Sequence, residues 1–260
     1  HTAYRRQRQM CIRDRYFLMQ LNVKVYSDGA ELSAMKAIAE QENIQGFTTN
    51  PSLMKAAGIT DYLAFAREAV ATFPDRSISF EVFGNTPERM LAEAKVLAGL
   101  GEHVAVKVPI IRATGEDNTA VIHELSMAGV QVNVTAITTL AQVKLAVAAL
   151  EETTGGIVSV FAGRIADTGV DPLPLMRQAA AICHTKAQVE LLWASTREVF
   201  NIVQADQTGC DIITVPPKIL AKLQKFGTDA ETVSLDTVKT FDQDIAALGF
   251  SIPVPAAEKQ

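Results

Sequence analysis

The stretch VAVKVP, Val104–Pro109, decides how this chain of 260 residues folds. Alternation at a period of two puts Val104, Val106 and Val108 on one face. Lys107 points the other way. A short, Val-rich run of this kind reads as a strand buried between two layers, as in a parallel sheet covered by helices. In a closed barrel the Lys107 side chain would face the interior.

Working outward, similar runs recur at residues 21–27, 46–49, 78–83, 131–135, 157–161, 190–194 and 211–215. With residues 103–109 they make eight strand candidates. Helical patterns fill the intervals. Thr86-Pro87 and Asp171-Pro172 place a capping residue before a proline at the first helical position. Thr60 and Thr139 precede further helix-period segments, and residues 61–72 carry Leu63, Ala66, Ala69 and Val70 on one face. Gly129 and Gly209 sit where a helix ends ahead of a strand. Every spacing leaves room for one βα unit. The expected fold is α/β, a single (β/α)8 TIM barrel with a C-terminal helix. The alternative is an open doubly wound sheet, and no glycine-rich dinucleotide fingerprint follows the first strand to support it.

Composition agrees. The chain is 48% hydrophobic and 20% charged, too apolar for a disordered protein. Its net charge of -5 argues against a nucleic-acid binder, which needs a basic surface. The longest apolar runs are strand-length, so no membrane span is expected. Cys11, Cys183 and Cys210 form no C-x-x-C pair. His1, His103, His123 and His184 are scattered, so neither a disulfide framework nor a metal site is signalled. A cytoplasmic setting is the simplest one.

Residues 1–18 differ from the rest. They carry Arg5, Arg6, Arg8, Arg13 and Arg15 without any helical or strand period. A basic arm or an organelle presequence are the biological readings. The stretch RQRQMCIRDR also resembles translated sequencing adapter. The reading adopted is a non-native leader over residues 1–18, followed by one barrel over residues 19–260.

Polar residues inside apolar strands are the informative exceptions. Burying an ammonium is costly, which favours the neutral amine, a nucleophile for carbonyl carbons. A lone lysine at a strand end more often snorkels to water. Lys107 has company, however. Asp28 ends the first strand, and Thr48, Thr49 and Asn50 end the second. Glu81 falls on the third, Asn133 and Thr135 on the fifth, Ser159 on the sixth and Ser195 on the seventh. All converge on the C-terminal mouth of a barrel, where such folds carry active sites. Arg164 and Arg197 follow the sixth and seventh strands, where they could clamp a phosphate. Taken singly, either arginine could equally form a surface ion pair.

In order, the motifs GFTTNPSL, FEVF, VAVKVP, VNVTAITTLAQV, SVFAGRI and WASTR resemble the transaldolase family in its shorter bacterial form. The likeness runs from about Val23 to the C-terminal helix. It implies a Schiff-base lysine at Lys107. It also implies an acid–base role for Asp28, and a catalytic water held by Glu81 and Thr135. Sugar hydroxyls would fall to Asn50, Asn133 and Ser159, an aromatic wall to Phe161, and phosphate to Arg164, Ser195 and Arg197. Glu81 and Phe161 are similar to transaldolases, whereas fructose 6-phosphate aldolases tend to carry Gln and Tyr at those positions. Ser27-Asp28-Gly29 departs from the family's usual Asp-Thr or Asp-Ser.

The expected activity is transfer of a dihydroxyacetone unit between sugar phosphates, with no metal or organic cofactor. Two alternatives stand beside it: an aldolase that releases free dihydroxyacetone, and a non-catalytic sugar-phosphate-binding barrel. The expected partners are sugar phosphates and further copies of the chain in a homo-oligomer, with no nucleic acid or membrane. Residues 234–248 carry Leu235, Val238, Phe241, Ile245 and Leu248 along one helical stripe. That stripe could cover the chain's own barrel or a neighbour's.

Overall fold

The computed structural model describes residues 21–40 and 43–253; the arginine-rich leader lies outside them. Eight parallel strands close into one barrel in sequence order. They are β1 (Lys24–Asp28), β2 (Ile44–Thr48), β3 (Ser77–Glu81), β4 (Val104–Pro109), β5 (Val132–Ile137), β6 (Gly156–Val160), β7 (Val189–Trp193) and β8 (Ile212–Val215). The β8–β1 pairing, with Val25 opposite Ile213, completes the closure and excludes the open sheet. All eight strand candidates are present.

The helices α1 (Leu32–Ala39), α2 (Pro51–Ala56), α3 (Tyr62–Thr72), α4 (Pro87–Ala98), α5 (Thr119–Met127), α6 (Leu140–Ala149), α7 (Ala162–Ala166), α8 (Leu173–Cys183), α9 (Asn201–Gln207) and α10 (Pro217–Leu220) connect the strands or follow them. Their starts follow local chemistry. The Thr86 side chain accepts the Arg89 N–H ahead of α4, and Thr139 with Gln142 forms a capping box on α6. Two starts differ from expectation. Asp61, not Thr60, caps α3, because its carboxylate accepts the Ala64 N–H. Asp171 accepts the Leu173 N–H while Pro172 takes the cap position of α8. Gly129 follows α5 at φ 79°, a left-handed conformation that glycine adopts without a Cβ clash.

Outward-facing aromatics fasten helices to the barrel. Phe47 on β2 stacks near Phe73 at 4.6 Å, and Phe80 on β3 meets Phe65 of α3 edge-on at 6.3 Å. Phe47, Phe80 and Trp193 are fully buried, each stabilising the fold by roughly 1.5–3 kcal/mol through burial. Inside the barrel, Tyr26, Ala105, Ile157, Leu192, Ala194 and Ile212 form an apolar cluster, with Phe161 packed against it. Cys183 and Cys210 are buried free thiols, each pushed up to about 12 by desolvation first of all.

The chain divides into two compact units, one ending at Gln224 and one starting at Lys225. The second carries α11 (Ala230–Leu248). Asp229 caps its start by accepting the Thr232 N–H, and Gly249 ends it at φ 71°. Its stripe of Leu235, Val238, Phe241, Ile245 and Leu248 is exposed. No described helix is long and apolar enough to cross a membrane.

Candidate active site at the barrel mouth

On four strands, the inward residue near the C-terminal end is polar and the residue two positions earlier is apolar. Asp28 stands above Tyr26, Lys107 above Ala105, Ser159 above Ile157 and Thr214 above Ile212. The polar layer lines a cavity of about 410 Å³ that opens at the strands' C-terminal ends. Asp28, Asn50, Glu81, Lys107, Thr135, Ser159, Phe161, Arg164, Ser195 and Arg197 all border it. Of the residues the sequence placed at the barrel mouth, only Thr49 and Asn133 do not border this cavity.

Lys107 is 7% exposed. Its Nζ donates to the Thr49 carbonyl at 2.9 Å and lies 3.4 Å from Glu81 Oε2. Register explains the second distance, because Glu81 and Lys107 are direct partners across the β3–β4 ladder. Asp28 accepts the Thr48 hydroxyl at 2.9 Å, and Thr48 Oγ1 lies 2.5 Å from Thr214 Oγ1. With the Thr48 proton committed to Asp28, Thr214 must donate to Thr48. Desolvation is the largest influence on Asp28 and raises its pKa above the ordinary carboxylate value. The Lys107 charge and the Thr48 bond oppose that rise.

Asn133 is fully buried beneath the cavity. Its Nδ2 donates to the Ser79 hydroxyl at 3.0 Å, and its Oδ1 accepts the Ser159 hydroxyl at 2.6 Å. Its amide is thus engaged by the protein itself. Thr135 Oγ1, in contrast, is buried without a protein hydrogen-bond partner. Thr135 precedes Ala136, which holds the left-handed φ of 61°. Such strain in a non-glycine residue clusters at functional sites.

The side of the cavity that carries Arg164 and Arg197 is built where helix α7 meets the segment after β7. Ser195 also has a left-handed φ, at 62°. Its carbonyl lies so near Gly163 that a Cβ there would sit 1.7 Å from the oxygen. Only glycine permits that approach. Arg164, on α7, lies over the Phe161 ring at 5.7 Å from its centroid. Arg197 pairs with Asp167 through Nη2. Asn50 caps α2 through its Oδ1, which accepts the Leu53 N–H and leaves the Nδ2 end for the cavity.

Sequence reasoning missed Ser79 and Thr214, whose hydroxyls hold the layer together. Serine and threonine are ordinary strand residues, so spacing alone did not mark them. A second cavity, of about 330 Å³, lies between α3 and α4 and is bordered by Tyr62, Phe83, Arg89 and Glu93. It meets the barrel-mouth cavity at Glu81 but contains no candidate nucleophile. Among the described residues, no group of three His, Cys, Asp or Glu side chains is arranged to hold a metal ion.

Residues 25–260 match the family model described as Transaldolase/Fructose-6-phosphate aldolase. The chain belongs to that family. A "Probable transaldolase" of Streptococcus equi subsp. zooepidemicus is 31% identical over 226 residues, covering 86% of this chain and 99% of the relative. A "Probable transaldolase" of Dehalococcoides mccartyi is 31% identical over 204 residues, covering 78% and 91%. Among solved structures, KGPDC from Streptococcus mutans superposes with a TM-score of 0.52 at 11% identity, covering 78% of this chain and 91% of that one. A 3-keto-L-gulonate-6-phosphate decarboxylase from Vibrio cholerae gives 0.50 at 13% identity, covering 78% and 95%. At such identities the two structures speak for the barrel alone. The transaldolase/aldolase family places this chain among sugar-phosphate-processing enzymes.

Proposed function

We propose that this protein is a transaldolase that moves a dihydroxyacetone unit from fructose 6-phosphate or sedoheptulose 7-phosphate to an aldose phosphate. The observation that carries the reading is the Lys107 amine, buried in the barrel 3.4 Å from Glu81, in a cavity that also holds Asp28.

In this scheme the neutral Lys107 amine adds to the ketone carbon, and the carbonyl oxygen takes up a proton. The carbinolamine then loses that oxygen as water and leaves an iminium. Glu81 and Thr135 hold the water that carries these protons. The unpartnered Thr135 hydroxyl and the nearby Glu81 carboxylate support that assignment. Asp28 removes the proton from the C4 hydroxyl. The electrons of the C3–C4 bond flow into the iminium, an aldose phosphate departs, and an enamine remains on Lys107. The enamine carbon attacks the acceptor aldehyde, whose oxygen takes the proton from Asp28. Water then hydrolyses the new iminium, releasing the ketose and the free amine. The iminium is itself the electron sink, so no metal or organic cofactor is required.

Arg164, Ser195 and Arg197 would hold the phosphate of donor and acceptor in turn. Asn50 and Ser159 face the cavity where sugar hydroxyls would lie, and Asn133 would act through Ser159. Phe161 forms the aromatic wall. The proposed domain assignment remains one barrel with its C-terminal helix over residues 19–260, working in the cytoplasm as a homo-oligomer.

Borohydride reduction in the presence of a ketose phosphate tests the central step. A reduced adduct on Lys107 is expected; its absence would overturn the Schiff-base reading. Measuring glyceraldehyde 3-phosphate formation with and without an acceptor aldehyde then separates transfer from aldolytic release.

A further inference from the structure

We infer that Thr49 is a positioning residue that aims the Lys107 amine. The inference rests on the Schiff-base reading above and concerns the geometry of the attacking nitrogen.

Thr49 follows the last residue of β2. It is fully buried and does not border the cavity. All its polar groups are nevertheless engaged. Its carbonyl accepts Lys107 Nζ at 2.9 Å. Its N–H and its hydroxyl both donate to one acceptor, the Ser79 carbonyl, at 3.2 and 2.9 Å. The registered β2–β3 pairing ends at Thr48 opposite Ser79. The Thr49 hydroxyl therefore adds a second tether just past the end of the ladder, on the residue whose carbonyl holds the lysine.

Ser79 is fixed from the other side. Its hydroxyl accepts Asn133 Nδ2, and Asn133 in turn accepts the Ser159 hydroxyl. A continuous hydrogen-bonded belt thus runs from Ser159 through Asn133, Ser79 and Thr49 to Lys107, crossing strands β6, β5, β3 and β2 to reach β4. Every member of this buried network has at least one hydrogen-bond partner within it, and buried polar groups paired in this way rigidify a site.

The chemical consequence follows from the shape of an amine. Neutral Nζ has two N–H bonds and one lone pair in roughly tetrahedral directions. The Thr49 carbonyl takes one N–H, and Glu81 Oε2 lies 3.4 Å from the same nitrogen, within reach of the second. The lone pair is left for the cavity, where the ketone carbon must arrive. Freeing the Thr49 peptide lets the amine rotate and lowers the fraction of attack-ready geometries.

The test compares Thr49→Val, which keeps the shape and loses the hydroxyl, with Thr49→Ser, which keeps the hydroxyl and loses a methyl. Wild-type protein is first trapped with ketose phosphate and borohydride. Absence of a wild-type adduct removes the Schiff-base reading and this inference together. Once the wild-type adduct is observed, Thr49→Val should lower both kcat and the trapping rate at saturating ketose by about tenfold or more, with KM within about twofold. Thr49→Ser should stay near wild type. Wild-type rates in Thr49→Val, or equal losses in both variants, would overturn the positioning role while leaving the Lys107 reading intact. Should Thr49→Val fail to fold in a thermal melt, Thr49→Ala and Thr49→Ser decide by the same hydroxyl criterion. A slower Ala variant supports the role, and equal rates overturn it.

Discussion

Ser159 spends its hydroxyl proton on Asn133, at 2.6 Å, and the two residues bind each other across neighbouring strands β5 and β6. Asn133 commits its other amide end to Ser79. An asparagine engaged in this way, with no exposed surface, acts first on stability. Asn133→Ala strands the Ser79 and Ser159 hydroxyls, and each buried unsatisfied polar group costs about 1–3 kcal/mol. The variant is expected to lose about 2 kcal/mol, a fall in Tm of roughly 5 °C for a chain of this size. Calorimetry alongside KM for the ketose phosphate checks it. An unchanged Tm with a raised KM would make Asn133 a direct substrate contact.

The same residue shows what a sequence can reveal. Period-two alternation correctly assigned Asn133 to the inner face of β5, together with Thr135. It says nothing about depth, and depth separates a residue that borders the cavity from one that supports its floor. The eight strands were legible because both their faces are buried, which leaves short Val- and Ile-rich runs. Their ends were less so. The run through residue 83 suggested a longer β3, yet the strand stops at Glu81, and the Phe83 and Gly84 N–H groups donate to Glu93 of α4 instead. Thr214 and Ser79 escaped notice because their partners lie across the barrel, far away in sequence. The left-handed turns at Ala136 and Ser195 carry no glycine to announce them.

Asp28 yields a pH prediction with an unusual sign. Its folded-state pKa is raised, chiefly by desolvation, above the usual aspartate value of 3.8. Between that value and its folded pKa, the native state binds more protons than the unfolded state. Stability therefore falls as pH rises through this window, and the ionised Asp28 costs stability at pH 7. Asp28→Asn should melt higher than wild type at pH 7. The gap should shrink as pH falls toward 3.8, where Asp28 is increasingly protonated in both states. Under the proposed mechanism turnover should drop severely, because an amide cannot accept the C4 hydroxyl proton. Thermal melts of both proteins from acidic to neutral pH provide the check. A gap that widens on acidification would contradict the raised pKa.

Gly163 should tolerate no side chain. A Cβ would sit 1.7 Å from the Ser195 carbonyl oxygen and 3.0 Å from Arg197 Cγ. Backbone must move to admit it, and overpacking of this kind costs about 1–3 kcal/mol. The displaced segment is the one that carries Ser195 and Arg197. Gly163→Ala is expected to lower Tm and to raise KM for phosphorylated ketoses, with a smaller effect on any unphosphorylated acceptor. Equal effects on both substrate classes would separate this loop contact from phosphate binding.

Arg197 and Asp167 allow the anion-binding side to be tested apart from the fold. Their ion pair is half exposed on both sides, at 50% and 54% of side-chain surface. Exposed pairs of this type contribute only about 0–1 kcal/mol. Asp167→Asn should therefore change Tm little. Arg197→Ala should also leave the melt nearly unchanged, yet under the proposed function it removes charge-assisted hydrogen bonds to the phosphate. Bonds to charged groups are worth about 1.5–3 kcal/mol, or roughly a tenfold to hundredfold rise in KM for the sugar phosphate. Because the lost contact is made equally in ground and transition states, kcat should hold while KM rises. Steady-state kinetics with fructose 6-phosphate makes the comparison. A fall in kcat at constant KM would assign Arg197 to the reacting centre instead of the phosphate clamp.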